Sequence, residues 1–195
     1  MKRANRYAVI AVTPLALQLL ATVPADAQLS NRSRLALDGI GAVRVGMTIA
    51  EAERATGLKF FEPSRFRASE GCYYIQPRTQ SPNISFMVFS GSSSKTMNRS
   101  SDRIVRVDID RGSPITTLSG IAIGATEAQV KRRYPGKIKA SLHPYTGSNG
   151  GKYLTYKPSH LADQRYSLIF ETLNGKVVRY RSGFADAVAQ IEGCA

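Results

Sequence analysis

The sequence contains no tryptophan, two cysteines and two histidines, and each scarcity narrows the chemistry it can support. Cys72, Cys194, His143 and His160 are too few soft ligands to supply a closed zinc site readily. A hydrolytic triad needs a nucleophile, a base and an orienting acid that converge in space. With two histidines, one of them His143 just before Pro144, and no Gly-x-Ser-x-Gly elbow, the chain reads as a non-enzyme, and no cofactor is expected. Acids are also scarce, with 14 Asp plus Glu against 27 Lys plus Arg in 195 residues and a net charge of +13. Only one hydrophobic run comes near the length of a membrane span. The remaining composition, 43% hydrophobic and 21% charged, allows a buried core and excludes a disordered polycation.

That one run, Ala8 to Val23, follows Lys2, Arg3 and Arg6 and ends in Pro24-Ala25-Asp26-Ala27. Basic residues, an apolar stretch and small residues at 25 and 27 have the form of a secretory signal peptide cut after Ala27. The alternative is an anchoring helix, against which stand the short run and its Pro14 and Gln18. Removing residues 1–27 leaves 24 cations against 13 anions, or +11. The expected protein is therefore basic and periplasmic or secreted, with no transmembrane segment in the mature chain. In an oxidising compartment Cys72 and Cys194 are expected to form a disulfide; two free thiols or half of a metal site are the alternatives.

An internal repeat organises the rest of the chain. Leu37-Asp38-Gly39-Ile40 is echoed by Leu118-Ser119-Gly120-Ile121, and Gly46-Met47-Thr48-Ile49-Ala50-Glu51-Ala52 by Gly124-Ala125-Thr126-Glu127-Ala128-Gln129-Val130. In both copies Thr is followed three residues later by Glu or Gln, the capping box that opens a helix. This predicts helices over 48–56 and 126–134, with Gly57 and Gly136 in the left-handed position past their ends. Twofold alternation then predicts strands over 58–61, 72–76, 84–89 and 103–109 in the first copy. In the second they fall over 138–143, 152–157, 166–171 and 176–181, with Asn174-Gly175 as a hairpin turn. The expected fold is α+β: two tandem repeats, 36–110 and 118–195, each a short helix packed on a roughly four-stranded antiparallel sheet. Residues 28–35 form an N-terminal extension and 111–117 a linker.

This tandem layout resembles the beta-lactamase inhibitor protein fold, and the Gly-Met-Thr start of the first helix resembles that of the outer-membrane assembly lipoprotein E family. Glu70-Gly71-Cys72, the Thr-x-x-Glu/Gln helices and Glu192-Gly193-Cys194 also resemble a group of uncharacterised exported bacterial proteins. The first resemblance implies a protein partner held on a sheet face made by both halves.

Alternation assigns faces to the strands. With Val105, Val107, Ile109, Val178 and Tyr180 turned toward the helices, Ile104, Arg106, Asp108, Val177, Arg179 and Arg181 turn away. By the same parity Tyr73, Ile75, Met87, Phe89, Tyr153, Thr155 and Ile169 join them on an open face. Tyr, Phe, Met and Arg are the residues enriched at the centres of protein interfaces, so Tyr73, Met87, Arg106, Tyr153, Arg179 and Arg181 are the candidate binding residues, for an acidic protein partner. The alternatives are that loops or residues 186–195 cover the face, or that a register slip reverses it.

Lys131, Arg132 and Arg133, with Lys137 and Lys139, form the densest basic cluster. Cations at a helix C-terminus complement its dipole, and the same charge can draw an anionic lipid or acidic polysaccharide of the cell envelope. Nucleic acid is not expected, since no nucleic-acid motif is present. Glu70 and Glu192 beside the cysteines are either a carboxylate pair of glycosidase type or parts of a repeated turn. The function expected from the sequence is protein binding through the open face, with envelope binding through the basic cluster as the alternative.

Overall fold

The computed structural model of the protein describes residues 29–63, 71–78, 83–91 and 97–194. The expected leader and Glu70 lie outside them. Three short strands come first, β1 (Arg34–Leu35), β2 (Gly39–Ile40) and β3 (Val43–Arg44), and then helix α1 (Ile49–Thr56). Strands β4 (Phe60–Phe61), β5 (Cys72–Pro77), β6 (Ile84–Phe89) and β7 (Arg103–Ile109) come next, then β8 (Thr116–Thr117) and helix α2 (Glu127–Arg133). The remainder is β9 (Ile138–Leu142), β10 (Lys152–Tyr156), β11 (Tyr166–Leu173), β12 (Lys176–Phe184) and helix α3 (Ala185–Ala189).

The protein is α+β, with an eight-stranded sheet in the order β4-β5-β6-β7-β12-β11-β10-β9 and a small sheet in the order β3-β2-β1-β8. Segment 111–117 carries β8, which pairs in parallel with β1, Leu35 opposite Thr117. Two antiparallel runs, β4 to β7 and β9 to β12, meet where β12 pairs antiparallel with β7, Arg181 opposite Asp108.

Helices α1 and α2 begin through capping boxes. Glu51 N–H donates to Thr48 Oγ1 at 3.2 Å while Thr48 N–H donates to Glu51 Oε2 at 2.7 Å. In α2 the Gln129 N–H reaches Thr126 Oγ1 at 3.2 Å and Thr126 N–H reaches Gln129 Oε1 at 2.7 Å. Each satisfies two amides that the first turn otherwise leaves without partners. The residues before each cap are tied to the sheet alike: Gly46 N–H bonds Ile104 O and Ile104 N–H bonds Met47 O, while Gly124 N–H bonds Val177 O and Val177 N–H bonds Ala125 O. Gly57, at φ 70°, ends α1 in the left-handed region. Helix α2 closes differently: Tyr134 is its cap, Pro135 prevents continuation, and Gly136 takes its positive φ beyond the end.

Helices α1 and α2 pack on one face of the large sheet. The core there contains Ile49 and Val130 from the helices with Ile75, Phe86, Val88, Ile104, Val107, Leu154, Phe170, Val177 and Tyr180 from the strands. Phe60 meets Phe86 edge to face at 5.4 Å between ring centres; burying a side chain of this kind stabilises by about 1.5–3 kcal/mol. Two bulges reset the face assignment. Met87 pairs with Arg106 but Val88 with Ile104, so Val105 is the extra residue in β7. Glu171 pairs with Arg179 but Thr172 with Val177, leaving Val178 extra in β12. A bulge shifts parity by one residue. Ile104 and Val177 therefore enter the core below the helices, against the expectation, and Val105 packs on the opposite face with Met87.

Removing either cap, Thr48→Ala or Thr126→Ala, is expected to lower stability by about 1 kcal/mol, read as a shift of the urea midpoint. The acid limb has a defined sign. Burial pushes the Glu53 carboxyl up, but donation from Phe60 N–H, Lys59 and Arg99 outweighs this and holds it below its ordinary 4.5. Glu127 behaves likewise, burial being outweighed by Lys152 and Thr172. Unfolded chains thus take up these protons first, and stability is full above about pH 4.5 and falls as the pH drops toward the depressed folded values. Urea midpoints at pH 6 and pH 4 should differ less in the Glu53→Gln, Glu127→Gln double variant than in the wild type.

Candidate functional site

The sheet face opposite α1 and α2 carries Tyr74, Met87, Val105 and Arg106 from the first run of strands and Arg181, Ile169 and Tyr153 from the second. The C-terminal segment lies across it. Helix α3 packs on β7, β11 and β12, Ala187 joins Met87 and Val105 in one apolar cluster, and Val188 joins Tyr153 and Ile169 in another. A disulfide between Cys72 and Cys194 fastens the end of this segment to β5. Gly193, at φ 70°, passes so close to Tyr74 that a Cβ would come within 2.3 Å of its phenolic oxygen.

Two buried arginines hold the segment down. The last carbonyls of a helix have no partner within it, and α3 meets guanidinium groups there. Arg106 Nη1 donates to Ala187 O at 2.8 Å and to Gln190 O at 2.9 Å, its Nε to Asp108 Oδ2 at 2.8 Å, and its Nη2 to Tyr74 Oη. Burial opposes the Arg106 charge, but Asp108 and Tyr74 more than offset it and raise its pKa; burial pushes the Tyr74 phenol up to about 12. Arg181 Nε donates to Val188 O at 2.8 Å.

These contacts place each expected binding residue. Met87 and Arg106 lie beneath the C-terminal segment, 0% and 3% exposed, so the cover left open as an alternative is present. Tyr73 is a correction: it stands opposite Val88, on the helix side, where its hydroxyl donates to the buried Asp102. Its neighbour Tyr74, opposite Met87, takes the place expected for it. The relative register of β5 and β6 decides this, and alternation within β5 cannot reveal it. Arg179 is half exposed and bound to Asp110 Oδ1 through Nη2 at 2.6 Å. Lys131, Arg132 and Arg133 lie in the last turn of α2, across the sheet from Met87, Arg106, Tyr153 and Arg181; Arg132 and Arg133 line a separate cleft of about 340 Å³ with Gln129. Of the expected Glu70 and Glu192 pair, Glu192 accepts from Tyr145 Oη.

Beside α3 the cover ends, and the face opens into a groove of about 690 Å³ over β9, β10 and β11. Tyr153, Thr155 and Ile169 form its floor, Lys139 and Lys157 line it, and Asp186 and Arg181 stand on the α3 side. Arg181 is 7% exposed, yet its Nη2 has no hydrogen-bond partner among the described residues. Its Nη1 lies 4.0 Å from Glu171 Oε2, and its guanidinium sits 5.2 Å from the Tyr153 ring centre. Burial raises the Tyr153 phenol pKa, with Arg181 opposing the rise. His143 Nδ1 accepts from the N–H groups of Tyr145 and Thr146, which puts its neutral-form proton on Nε2, 3.4 Å from Glu171 Oε1. Glu171 is thus shared between His143 and Arg181.

The groove combines three cations, one carboxylate and an aromatic and aliphatic floor. A second cleft of about 200 Å³ under the C-terminal segment differs, since its Arg106, Arg179 and Arg181 face Asp108, Asp110, Glu171 and Glu192. Alternation puts Tyr153 and Arg181 on the face where they lie and leaves cover by residues 186–195 as an alternative, without marking 185–189 as a helix or Lys157 as a partner of Lys139. The signal for α3 was present only as two arginines on strands facing a short Ala-rich stretch.

Replacing Arg106 by Met leaves Asp108 and two carbonyls without their donor, and is expected to destabilise by about 3 kcal/mol. Reduction of the disulfide, which closes a separation of 122 residues, removes about 4–5 kcal/mol more on chain-entropy grounds. Urea titrations with and without reductant, combined with amide exchange over residues 185–194, measure both effects. Compared with known proteins, the chain matches no family model and no curated relative.

Proposed function

We propose that the protein is an exported, non-enzymatic binding protein that takes an acidic segment of another protein into the groove beside α3. The observation that carries this reading is the charge of the groove, which Lys139, Lys157 and Arg181 line against a single carboxylate, Asp186. A carboxylate entering the groove meets an excess of the opposite charge.

The reading includes a duplicated architecture. Support comes from equivalent positions: the capping boxes, the Gly46 and Gly124 ladders to Ile104 and Val177, and the bulge residues Val105 and Val178. With Arg106 aligned to Arg179 and Asp108 to Arg181, the central Asp108 and Arg181 pair maps onto itself, and the Tyr180 and Ile109 pair maps onto Ser182 and Val107. Exchange of the halves thus leaves the β7 to β12 register unchanged. The C-terminal segment, which follows the second half, breaks the symmetry of the open face, and the groove lies over the second half. Export is supported by the form of residues 1–27 and by the disulfide.

A second reading rests on the cleft at Arg132 and Arg133, which suits an anionic lipid or acidic polysaccharide. The two sites lie on opposite faces, so variants separate them. A Glu-rich peptide is the probe for the groove and anionic phospholipid vesicles are the probe for the cleft. Lys139→Glu with Lys157→Glu is expected to weaken peptide binding by about tenfold, and binding should also fall with added salt. Arg132→Glu with Arg133→Glu should leave peptide binding unchanged. Vesicle binding abolished by the second pair, with no peptide binding by the wild type, would decide for the envelope reading.

A further inference from the structure

The large sheet has an open edge. Strand β9 is its last strand, with β10 on one side and, among the described residues, no strand on the other. Lys139, Ala140, Ser141 and Leu142 are all exposed. Its ladder to β10 is antiparallel, Ser141 opposite Tyr153 and Ala140 opposite Leu154, and His143 N–H donates inward to Gly151 O at 3.0 Å. In an antiparallel ladder, inward-bonded and outward-facing residues alternate. Ser141 and Lys139 therefore bond inward like His143, while the N–H and C=O groups of Ile138, Ala140 and Leu142 face away from the sheet. None of these three amides has another backbone partner among the described residues.

We infer that β9 is a docking edge to which an extended acidic segment of a partner protein adds as a further antiparallel or parallel strand. This deepens the proposed function and rests on it for the partner being a protein. Strand addition draws affinity from main-chain hydrogen bonds and specificity from alternate side chains. Lys139 and Ser141 share the groove side of β9, so alternate side chains of an added strand come up beside them at the groove's outer margin. The groove and the edge are then one site, the edge holding the backbone and the groove reading the side chains.

Charge selects the occupant. From residue 128 to residue 162 the sequence holds seven cations, Lys131, Arg132, Arg133, Lys137, Lys139, Lys152 and Lys157, and no Asp or Glu. Lys152 is paired with Glu127, while Lys139 and Lys157 stand along the groove beside the edge. A second copy of this chain pairing β9 to β9 would set Lys137 and Lys139 against the same cations, and like charges across a strand pair are unfavourable. Lysine on an edge strand is a known guard against such self-pairing. An acidic strand meets the opposite sign, and Leu142, 70% exposed, offers it an apolar contact where the edge ends.

Hydrogen exchange tests the docking edge amide by amide. The probes are a ten-residue peptide alternating Glu and Val, its Lys and Val counterpart, and the Glu peptide N-methylated at alternate residues. In the free protein the amides of Lys139, Ser141 and His143 should be protected from hydrogen exchange and those of Ile138, Ala140 and Leu142 should not. The Glu peptide is expected to slow exchange at the latter three by about tenfold or more, while the Lys peptide leaves them unchanged. Ala140→Pro removes only an outward N–H, a place where an edge strand tolerates proline, and should weaken Glu-peptide binding by about tenfold, the equivalent of one or two hydrogen bonds. N-methylation of the peptide should do the same without altering the protein. Glu-peptide binding that both changes leave intact, yet Lys139→Glu with Lys157→Glu abolishes, would overturn the edge and keep the groove. Equal binding of the Lys peptide, or no binding of the Glu peptide to the wild type, would overturn both.

Discussion

The antiparallel pairing of β7 with β12 is the contact on which the rest of the molecule depends. Each run of strands ends on it, and through it two short sheets become one eight-stranded surface. The approach is close. At Gly183, opposite Arg106, a Cβ would stand 2.4 Å from Val105 O, so the pairing tolerates no side chain there. The same pairing sets Asp108 beside Arg181 and brings Arg106 and Arg181 to one face. Once they are there, both need acceptors, because a buried guanidinium without them is strongly unfavourable.

The C-terminal segment answers that need and is answered by it. Residues 185–189 make too short a helix to stand alone, and the carbonyls at its end are taken by the two arginines. The segment is therefore a tertiary structure before it is a secondary one. It covers Met87, Val105 and Arg106, reaches Tyr153 of β10 through Val188, and stops short of β9. What remains is a groove smaller than a whole sheet face but better defined: the nearly buried Tyr153 and Ile169 form its floor, Arg181 stands on its inner side, and the lysines stand on the far side. Basicity spread over the whole sequence thus becomes directed charge at one margin of the sheet.

Much of this architecture is legible in local pattern. Capping boxes at Thr48 and Thr126 are local signals and begin both helices where expected. Strands 84–89 and 103–109 begin and end where expected, and Asn174 and Gly175, both at positive φ, form the turn that the dipeptide announces. The features that escaped depend on partners distant in sequence. Nothing within Arg103-Ile104-Val105-Arg106 marks Val105 as a bulge residue; only the register against β6 does so, and with it the placement of Ile104 changes. Tyr73 and Tyr74 are indistinguishable until β6 is set beside them. The two-residue strands β1, β2, β3 and β8 exist only as pairs. Helix α3 has no capping side chain, and its anchors lie far upstream in Arg106 and close by in Arg181. The candidate site was legible in composition and wrong in extent, because the cover over its first half comes from the chain itself.

Photo-crosslinking from single positions, with the protein made in its native cell, tests the central claim most directly. A crosslinking residue placed in turn at Lys139, Ser141, Thr155 and Arg132 is mapped to the partner residues it captures. With the edge and the groove acting as one site, Lys139 and Ser141 are expected to capture residues two apart in one acidic segment of a protein, Thr155 a side chain from the same segment, and Arg132 none of it. Crosslinks from Arg132 alone, or captures from Lys139 and Ser141 that share no segment, would contradict it.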